Sequence, residues 1–478
     1  MNTFDWVFVI VTHLLGGIAA IHALLNKRDP RAAMGWLIVC LVIPVFGVIA
    51  YLLFGLNHIS MVAKQWESRG MWKTPDKDPE LEISHYQTFA DAVFEQHAFQ
   101  ALVKSGDKVG TVPLVAGCLV EPLYDGTEAY PVMLEAIHQA KNSVYMSTYI
   151  FGTLGWGGKF IEALAAAYRR GVNVKVLVDG IGGLYSWPTA TKKLRKLGVP
   201  AAAFLPPFST YHTLHLNLRN HRKILVVDGA VGFAGGMNIH DDNVAQNGNN
   251  AKIHDIHFRI QGPAVGYLQD VVLRDWYFAT KENISKVVYY DNTVKGDALC
   301  RAYAPGPHHK YSQLQLMLSA AFSCAQKRIR IMSPYFLLGY ALTASAVSAA
   351  LRGVKIEVIL PESNNLSFVK GASEAGLPLL IEHGIDIYYK PGAFDHSKLF
   401  IVDDFCVFLG SSNLDVRSLM LNFEFNLEVH DRKLAAQLIE RFDGIKQTSR
   451  LITLDWLQSR GFLVKFYNSI FKLFSLYM

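Results

Sequence analysis

Cysteine is scarce in this chain and carries no pattern. Five occur in 478 residues (Cys40, Cys118, Cys300, Cys324 and Cys406), none in C-x-x-C spacing. A disulfide framework and a thiolate zinc site are therefore not expected, and no metal or other cofactor is called for. Long lysine or arginine blocks are also missing, as are basic tracts interleaved with aromatics, so no nucleic-acid partner is expected. The formal net charge is only +6, with a pI near 8.8. That modest surplus suits an anionic membrane surface or a phosphate-bearing substrate.

Charge itself is absent from two stretches. Trp6 to Leu25 and Met34 to Leu56 contain no Asp, Glu, Lys or Arg, giving runs of 20 and 23 residues. As helices, each is long enough for about 30 Å of hydrocarbon. Between them, residues 26–33 form a basic turn holding Lys27, Arg28, Pro30 and Arg31. Residues 1–57 are predicted to be a two-helix transmembrane hairpin, making the protein multi-pass. The first run is too long for a cleaved signal peptide, and Met1 to Asp5 carry no basic residue. The basic loop favours a cytoplasmic turn, while Lys64, Arg69 and Lys73 after the second run compete with it. His13 and His22 are expected to face the partner helix or the interface. These runs account for much of the 51% hydrophobic content and the mean hydropathy of +0.19.

Residues 58–110 read as a polar connector with a helix over Tyr86 to Lys104. Then a repeat begins. Helix and strand alternate in matched order, with apolar runs at Val144 to Phe151 and Ile329 to Ser333. Further matched runs close on Asp179 and Pro361, and third units end at Pro200 and Asp386. Each half closes on one pattern. The first copy is His221-Arg222-Lys223, then Asp228, then Gly235-Gly236-Met237-Asn238. The second is His396-Ser397-Lys398, then Asp403, then Gly410-Ser411-Ser412-Asn413. The copies lie 175 positions apart, and each histidine precedes its asparagine by 17 residues. Ile224 to Val227 and Leu399 to Val402, each followed by a turn and a second apolar run, predict hairpins. Alternation along a strand puts His221 with Lys223, and His396 with Lys398, on one face.

Two such spots facing each other supply two imidazoles, two ammonium groups and two amides. That set fits a phosphodiester, whose spread negative charge needs fixed donors. One imidazole attacks phosphorus while the other protonates the leaving alcohol. The lysines take the place that Mg²⁺ would otherwise fill. Asp228 and Asp403 complete the motif, with a turn-fixing role favoured over a chemical one. His212, His215, His240, His254 and His257 lack the duplicated context and are expected to be satisfied structural residues.

The paired H-x-K-x4-D and G-[GS]-x-N pattern resembles the phospholipase D superfamily across residues 111 to 445. Residues 28–36, 43–47 and 51–55, together with Asn413 to Glu424, resemble bacterial cardiolipin synthases, which extends the likeness to nearly the whole chain. The resemblance implies an α/β fold. Two similar lobes, 111–285 and 286–450, each a mixed sheet flanked by helices, would surround a pseudo-two-fold axis behind the hairpin. It implies His221 as nucleophile and His396 as acid then base, roles that could be reversed. Lys223, Lys398, Asn238, Ser411 and Asn413 would hold phosphate oxygens. An acid after each asparagine would orient an imidazole: Glu424 in the second half and, further from its asparagine, Asp255 in the first. The implied reaction joins two phosphatidylglycerol molecules into cardiolipin and glycerol through a phosphatidyl-histidine, in a bacterial inner membrane with phospholipids as partners. The alternatives are a membrane phospholipase D releasing phosphatidic acid, a tethered nuclease and a silent scaffold. Residues 451–478 form an amphipathic tail. Its Lys465, Asn468, Ser469, Lys472 and Ser475 share a helical face, which suits a membrane surface or the protein's own core. A homo-oligomer is compatible with all of this.

Overall fold

The computed structural model describes residues 3–27, 30–55, 97–110, 112–206, 219–245, 251–282, 290–306 and 312–473. They fall into two compact units, Met1–Met71 and Trp72–Met478.

In the first unit, Thr3–Asn26 is one continuous helix. The second charge-free run is not. It forms a helix over Pro30–Val42, breaks at Ile43, resumes at Pro44–Ala50 and ends in a π-helical turn, Tyr51–Gly55. Pro44 lacks the N–H that an unbroken helix would use, so the expected single 34–56 helix is corrected to two segments. Among the described residues, Thr3–Asn26 alone is both long and apolar enough to cross a membrane. Small residues bring the helices close: Gly16, Ala19, Ala20 and Ala23 are buried, and a Cβ on Gly16 would lie 2.4 Å from the Cys40 carbonyl oxygen. His22 Nδ1 lies 2.8 Å from the Tyr51 hydroxyl, and His13 Nδ1 2.8 Å from the Val9 carbonyl.

The second unit is built on a mixed sheet. Its strands, in chain order, begin with β1 Val115–Tyr124, β2 Ser143–Thr148, β3 Asn173–Asp179, β4 Ala201–Phe204, β5 Ile224–Val227, β6 Val231–Gly235 and β7 Ile256–Gln261. They continue with β8 Ala298–Tyr303, β9 Arg328–Met332, β10 Lys355–Pro361, β11 Asp386–Lys390, β12 Leu399–Val402, β13 Cys406–Gly410, β14 Asn426–His430 and β15 Arg450–Ile452. The spatial order is β15-β11-β10-β9-β12-β13-β14-β8-β1-β7-β6-β5-β2-β3-β4. Read outward from the β8–β1 junction, each of the first seven strands meets its counterpart seven places later, and β15 is extra. This is the expected duplication, with a feature the repeat did not announce: the two sheets fuse edge to edge through antiparallel β1 and β8.

One face of this sheet is covered by the long helices Val265–Thr280 and Arg432–Gln447, whose apolar sides share one core across the junction with Val226, Ile260, Ile401 and Val407. The other face carries the remaining helices, over one core per lobe. β2, β3 and β4 run parallel, as do β9, β10 and β11, so the loops at their C-terminal ends gather on one edge. β5 and β12 run antiparallel to β2 and β9. The residues just before β5 and β12 therefore reach that same edge.

Within the described residues the connector is helical over His97–Val109, which overlaps the expected helix at residues 97–104 and continues beyond it. Its earlier part lies outside the described residues, as do His212 and His215. The tail forms a helix over Phe462–Leu473. Its polar side docks inward: Asn468 Nδ2 donates to Glu374 Oε2 at 3.0 Å, and Lys472 Nζ to the Ala375 carbonyl at 3.0 Å. Its apolar Phe462, Leu463, Phe466 and Leu473 face outward.

Candidate active site

His221 and His396 occupy extended segments that end where β5 and β12 begin. Each segment is laid against the other lobe. The His221 N–H donates to the Phe423 carbonyl at 2.9 Å, and the His396 N–H to the His254 carbonyl at 2.7 Å. The next residue in each case is the orienting acid. Glu424 oxygens lie 3.0 and 3.1 Å from His221 Nδ1, and Asp255 Oδ2 lies 2.8 Å from His396 Nδ1. The acid of each repeat thus serves the histidine of the other. Both contacts engage Nδ1, which fixes the tautomer and leaves each Nε2 for chemistry.

The lysines are placed with equal symmetry. Lys223 Nζ donates to its own His221 carbonyl at 2.7 Å, and Lys398 bonds the His396 carbonyl in the same way. The two lysines are buried and the two imidazoles nearly so, and the charges act on one another across the lobes. Burial pushes both imidazoles well below their usual range, with Lys223 and Lys398 adding repulsion to each. The His221 charge also reaches His396. Burial lowers Lys223 to about 7 and Lys398 to about 8. It raises Asp255 and Glu424 to about 7 each, opposed chiefly by those lysines. Each lysine acts on both rings, a cationic environment suited to an anion.

The acids are held differently. The Ser411 hydroxyl donates to Glu424 Oε2 at 2.6 Å, and Asn422 Nδ2 to Oε1 at 3.3 Å. At the matching place in the first lobe, a Cβ on Gly236 would sit 2.4 Å from Asp255 Oδ1, so glycine makes room for the carboxylate. The expected assignment of Ser411 to phosphate is corrected, because its hydroxyl is committed to Glu424. Asn238 is anchored by accepting the Ile150 N–H at its Oδ1 (3.2 Å), which orients its amide NH₂ as a donor. Asn413 Nδ2 donates to Ser418 Oγ at 3.3 Å, while its buried Oδ1 meets no donor among the described residues.

Asp228 and Asp403 stand at the far ends of the hairpins and do not join the site. Each has a positive φ, 52° and 54°. Asp228 accepts the N–H groups of Lys141, Asn142 and Ser143 at 2.7–2.9 Å. Asp403 accepts those of Gln326, Lys327 and Arg328 at 2.8–3.2 Å. Grouping these aspartates with the catalytic residues is corrected: they cap the turn that leads into β2 or β9. Of the other histidines, His254 pairs with Asp125 at 2.8 Å, His240 caps a short turn, and burial lowers His257 to about 4.

Motif spacing did not identify several neighbours. Arg222, between the motif His and Lys, is buried against Asp275 and donates to the Glu424 carbonyl at 2.9 Å, so it positions that acid. Its only sequence signal was a charge at the edge of an apolar run. Tyr149, at the end of β2, packs edge-on to His221 with ring centroids 5.2 Å apart. Elsewhere, Cys406, Glu428 and His430 converge within metal-ligand range. Glu428 there already accepts from Tyr303 and pairs with His430, both at 2.7 Å, so the cluster reads as a buried polar network rather than a metal centre.

A two-lobed fold with one imidazole–lysine pair per lobe, crossed onto a shared site, defines the phospholipase D class. The family described as cardiolipin synthase, PLD-like domain matches residues 133–275 and 318–446, and the phospholipase D-nuclease N-terminal family matches residues 6–55. Cardiolipin synthase A of Pseudomonas entomophila is 32% identical, over 93% of this chain and 92% of its own. The major cardiolipin synthase ClsA of Bacillus subtilis is 30% identical, over 96% of both. A phosphatidylserine synthase structure from Haemophilus influenzae shares the fold, with a TM-score of 0.61 at 15% identity, covering 79% of this chain and all of that one. The chain belongs to the cardiolipin synthase, PLD-like domain family.

Proposed function

We propose that this protein is a membrane-anchored phosphatidyltransferase that makes cardiolipin from two phosphatidylglycerols. The observation that carries the reading is the pair of imidazoles, each held at Nδ1 by the opposite lobe's carboxylate and each acted on by both Lys223 and Lys398. His221 Nε2 attacks phosphorus, and the bond from phosphorus to the glycerol oxygen breaks. His396 gives that oxygen its proton, releasing glycerol and leaving a phosphatidyl-histidine. His396 then takes the proton of a second phosphatidylglycerol hydroxyl. That oxygen attacks phosphorus, the phosphorus–nitrogen bond breaks, and His221 is restored. Lys223, Lys398 and Asn238 hold the charge on the non-bridging oxygens. A bound phosphodiester brings negative charge between the lysines, which favours the protonated His396 that the first step needs.

Two features support a bilayer substrate. In the first unit, Phe8, Ile10, Leu14, Ile18, Ile21, Leu25, Ile38, Phe46 and Ile49 are exposed, an apolar surface that suits lipid chains. In the second unit, the loops on the catalytic edge expose Leu154 (76%), Trp187 (82%) and Tyr340 (88%), with Leu184 and Tyr185 beside them. Lys192 lies over the Trp187 ring at 5.7 Å. Apolar and aromatic side chains with flanking lysines are the composition of a lipid interface.

Incubating the detergent-solubilised full-length protein with phosphatidylglycerol tests the reading. Cardiolipin and glycerol in equal amounts are expected. Phosphatidic acid without cardiolipin would replace the transferase by a hydrolase.

A further inference from the structure

The transfer proposed above brings a second phosphate to the site. The accepting phosphatidylglycerol carries its own phosphodiester three carbons from the hydroxyl that attacks. Lys223 and Lys398 are occupied with the reacting phosphorus, so the second anion needs other cations nearby.

Arg219 and Arg417 are cations whose backbones are pinned next to Glu424, the acid that orients His221. Arg219 is two residues before His221, and the strand pairing fixes its direction. Its carbonyl accepts the Phe423 N–H at 2.9 Å, and the His221 N–H donates to the Phe423 carbonyl at 2.9 Å. Asn220, between them, faces the helix side and bonds Ser147 and Asp275. By alternation, Arg219 and His221 both face the site. Arg417 lies in the first turn of the short helix Val416–Met420 that follows Asn413. Its carbonyl accepts the Asn422 N–H at 3.1 Å. Asn422 and Phe423 are consecutive, so one arginine from each repeat is pinned to adjacent amides, beside the acid that orients His221.

Their charges meet as well. Burial lowers the Arg219 pKa and Arg417 lowers it further, against Asp179 and Tyr149. Arg417 is also among the cations that hold His221 down. Both arginines act on the Tyr149 hydroxyl, whose ring packs on His221. Two arginines whose charges repel each other, one of them also acting on His221, gain from a shared anion.

We propose that Arg219 and Arg417 form a second phosphate subsite, which holds the phosphodiester of the accepting lipid while its hydroxyl reaches the phosphatidyl-histidine. The proposal rests on the transferase reading. It distinguishes an acceptor bearing a phosphate from one without, such as glycerol or water.

Two reactions of the full-length enzyme in phosphatidylglycerol vesicles separate these. Exchange of labelled glycerol into phosphatidylglycerol reports formation of the intermediate and its capture by a phosphate-free acceptor. Cardiolipin formation reports capture by the lipid. Arg417→Gln and Arg219→Gln are expected to lower the ratio of cardiolipin formation to exchange about tenfold or more, the loss of a charge-assisted hydrogen bond. The KM for the acceptor should rise, and Arg417→Lys should recover part of the ratio. Soluble glycerol phosphate should outcompete glycerol as acceptor in the wild type and lose that advantage in the variants if phosphate alone is read. If only lipid acceptors discriminate, the subsite needs the lipid as well. An unchanged ratio, or both rates falling in proportion, overturns the subsite. A wild-type enzyme that performs neither reaction overturns the transferase reading instead.

Discussion

Glu424 belongs to the second repeat, yet its carboxylate lies 3.0 Å from Nδ1 of His221 in the first. Asp255 and His396 make the reciprocal contact at 2.8 Å. Neither His221 nor His396 is paired with a carboxylate of its own lobe, so the fused sheet is a condition of the chemistry. Glu424→Gln and Asp255→Asn should keep the fold and lower kcat roughly 10–100-fold, as expected when an orienting partner is lost. Combining Glu424→Gln with His221→Ala should cost little more than His221→Ala alone, because the acid acts through the ring. Steady-state rates of the four variants check this. Additive losses would mean that Glu424 acts independently of His221.

The buried lysines set the alkaline limit. Lys223 and Lys398, lowered to about 7 and about 8, carry charge below those values and lose it as pH rises through them. The imidazoles, pushed down by burial and the lysines, are neutral at pH 7, as a nucleophile requires. For the free enzyme, kcat/KM should therefore fall on the alkaline side between about pH 7 and 8. Lys223→Arg keeps its charge at any such pH and leaves Lys398, at about 8, as the limiting lysine, so the alkaline limb should move upward even where the altered geometry lowers the maximum. A pH profile with the limb unmoved would assign it to another group.

Gly236 gives a local test of how Asp255 is seated. A methyl there would come within 2.4 Å of Asp255 Oδ1, and the carboxylate must move off His396. Gly236→Ala should lower kcat to a degree comparable with Asp255→Asn, with a much smaller change in melting temperature. If Gly236→Ala matches the wild-type rate, the first-lobe acid tolerates displacement.

Asp228 and Asp403 predict the opposite split. Each carboxylate accepts three backbone N–H groups far from the imidazoles. Asp228→Asn preserves the left-handed backbone that Asn also tolerates, but it weakens the cap and should destabilise by about 1–3 kcal/mol. Below the transition temperature, kcat should stay within about twofold of wild type, a span of only a few tenths of a kcal/mol in the barrier. Thermal unfolding and kinetics on one preparation separate the two effects.

Much of this was legible in the chain. The spacing of His221 to Asn238 and of His396 to Asn413 identified both half-sites, and the apolar runs placed them on hairpins, because alternation and turn chemistry are local. The crossing of Glu424 to His221 was not legible. It depends on which sheet edges meet, and β1 and β8 carry no motif that says so. Arg219, Arg222 and Tyr149 were missed for the same reason: their roles come from neighbours about 200 positions away or from another strand. The break at Ile43 had a local signal in Pro44, which the long charge-free run outweighed.

The catalytic edge should bind lipid through its exposed loops. Trp187 is 82% and Leu154 76% exposed, beside Leu184 and Tyr185. Water-exposed apolar area of that kind is recovered on contact with a bilayer, at about 25 cal/mol per Å². The contact would also bring the phosphodiester to the depth of the imidazoles. Replacing Leu184 and Trp187 by Ser removes apolar area without touching His221, His396 or their partners. With phosphatidylglycerol in vesicles the double variant should be slowed several-fold, because access is weakened. With monomeric short-chain phosphatidylglycerol below its micellar limit it should match the wild type, because no bilayer has to be reached. Equal losses on both substrates would mean that the loop shapes the site itself, and no loss on either would leave it without a part in lipid capture.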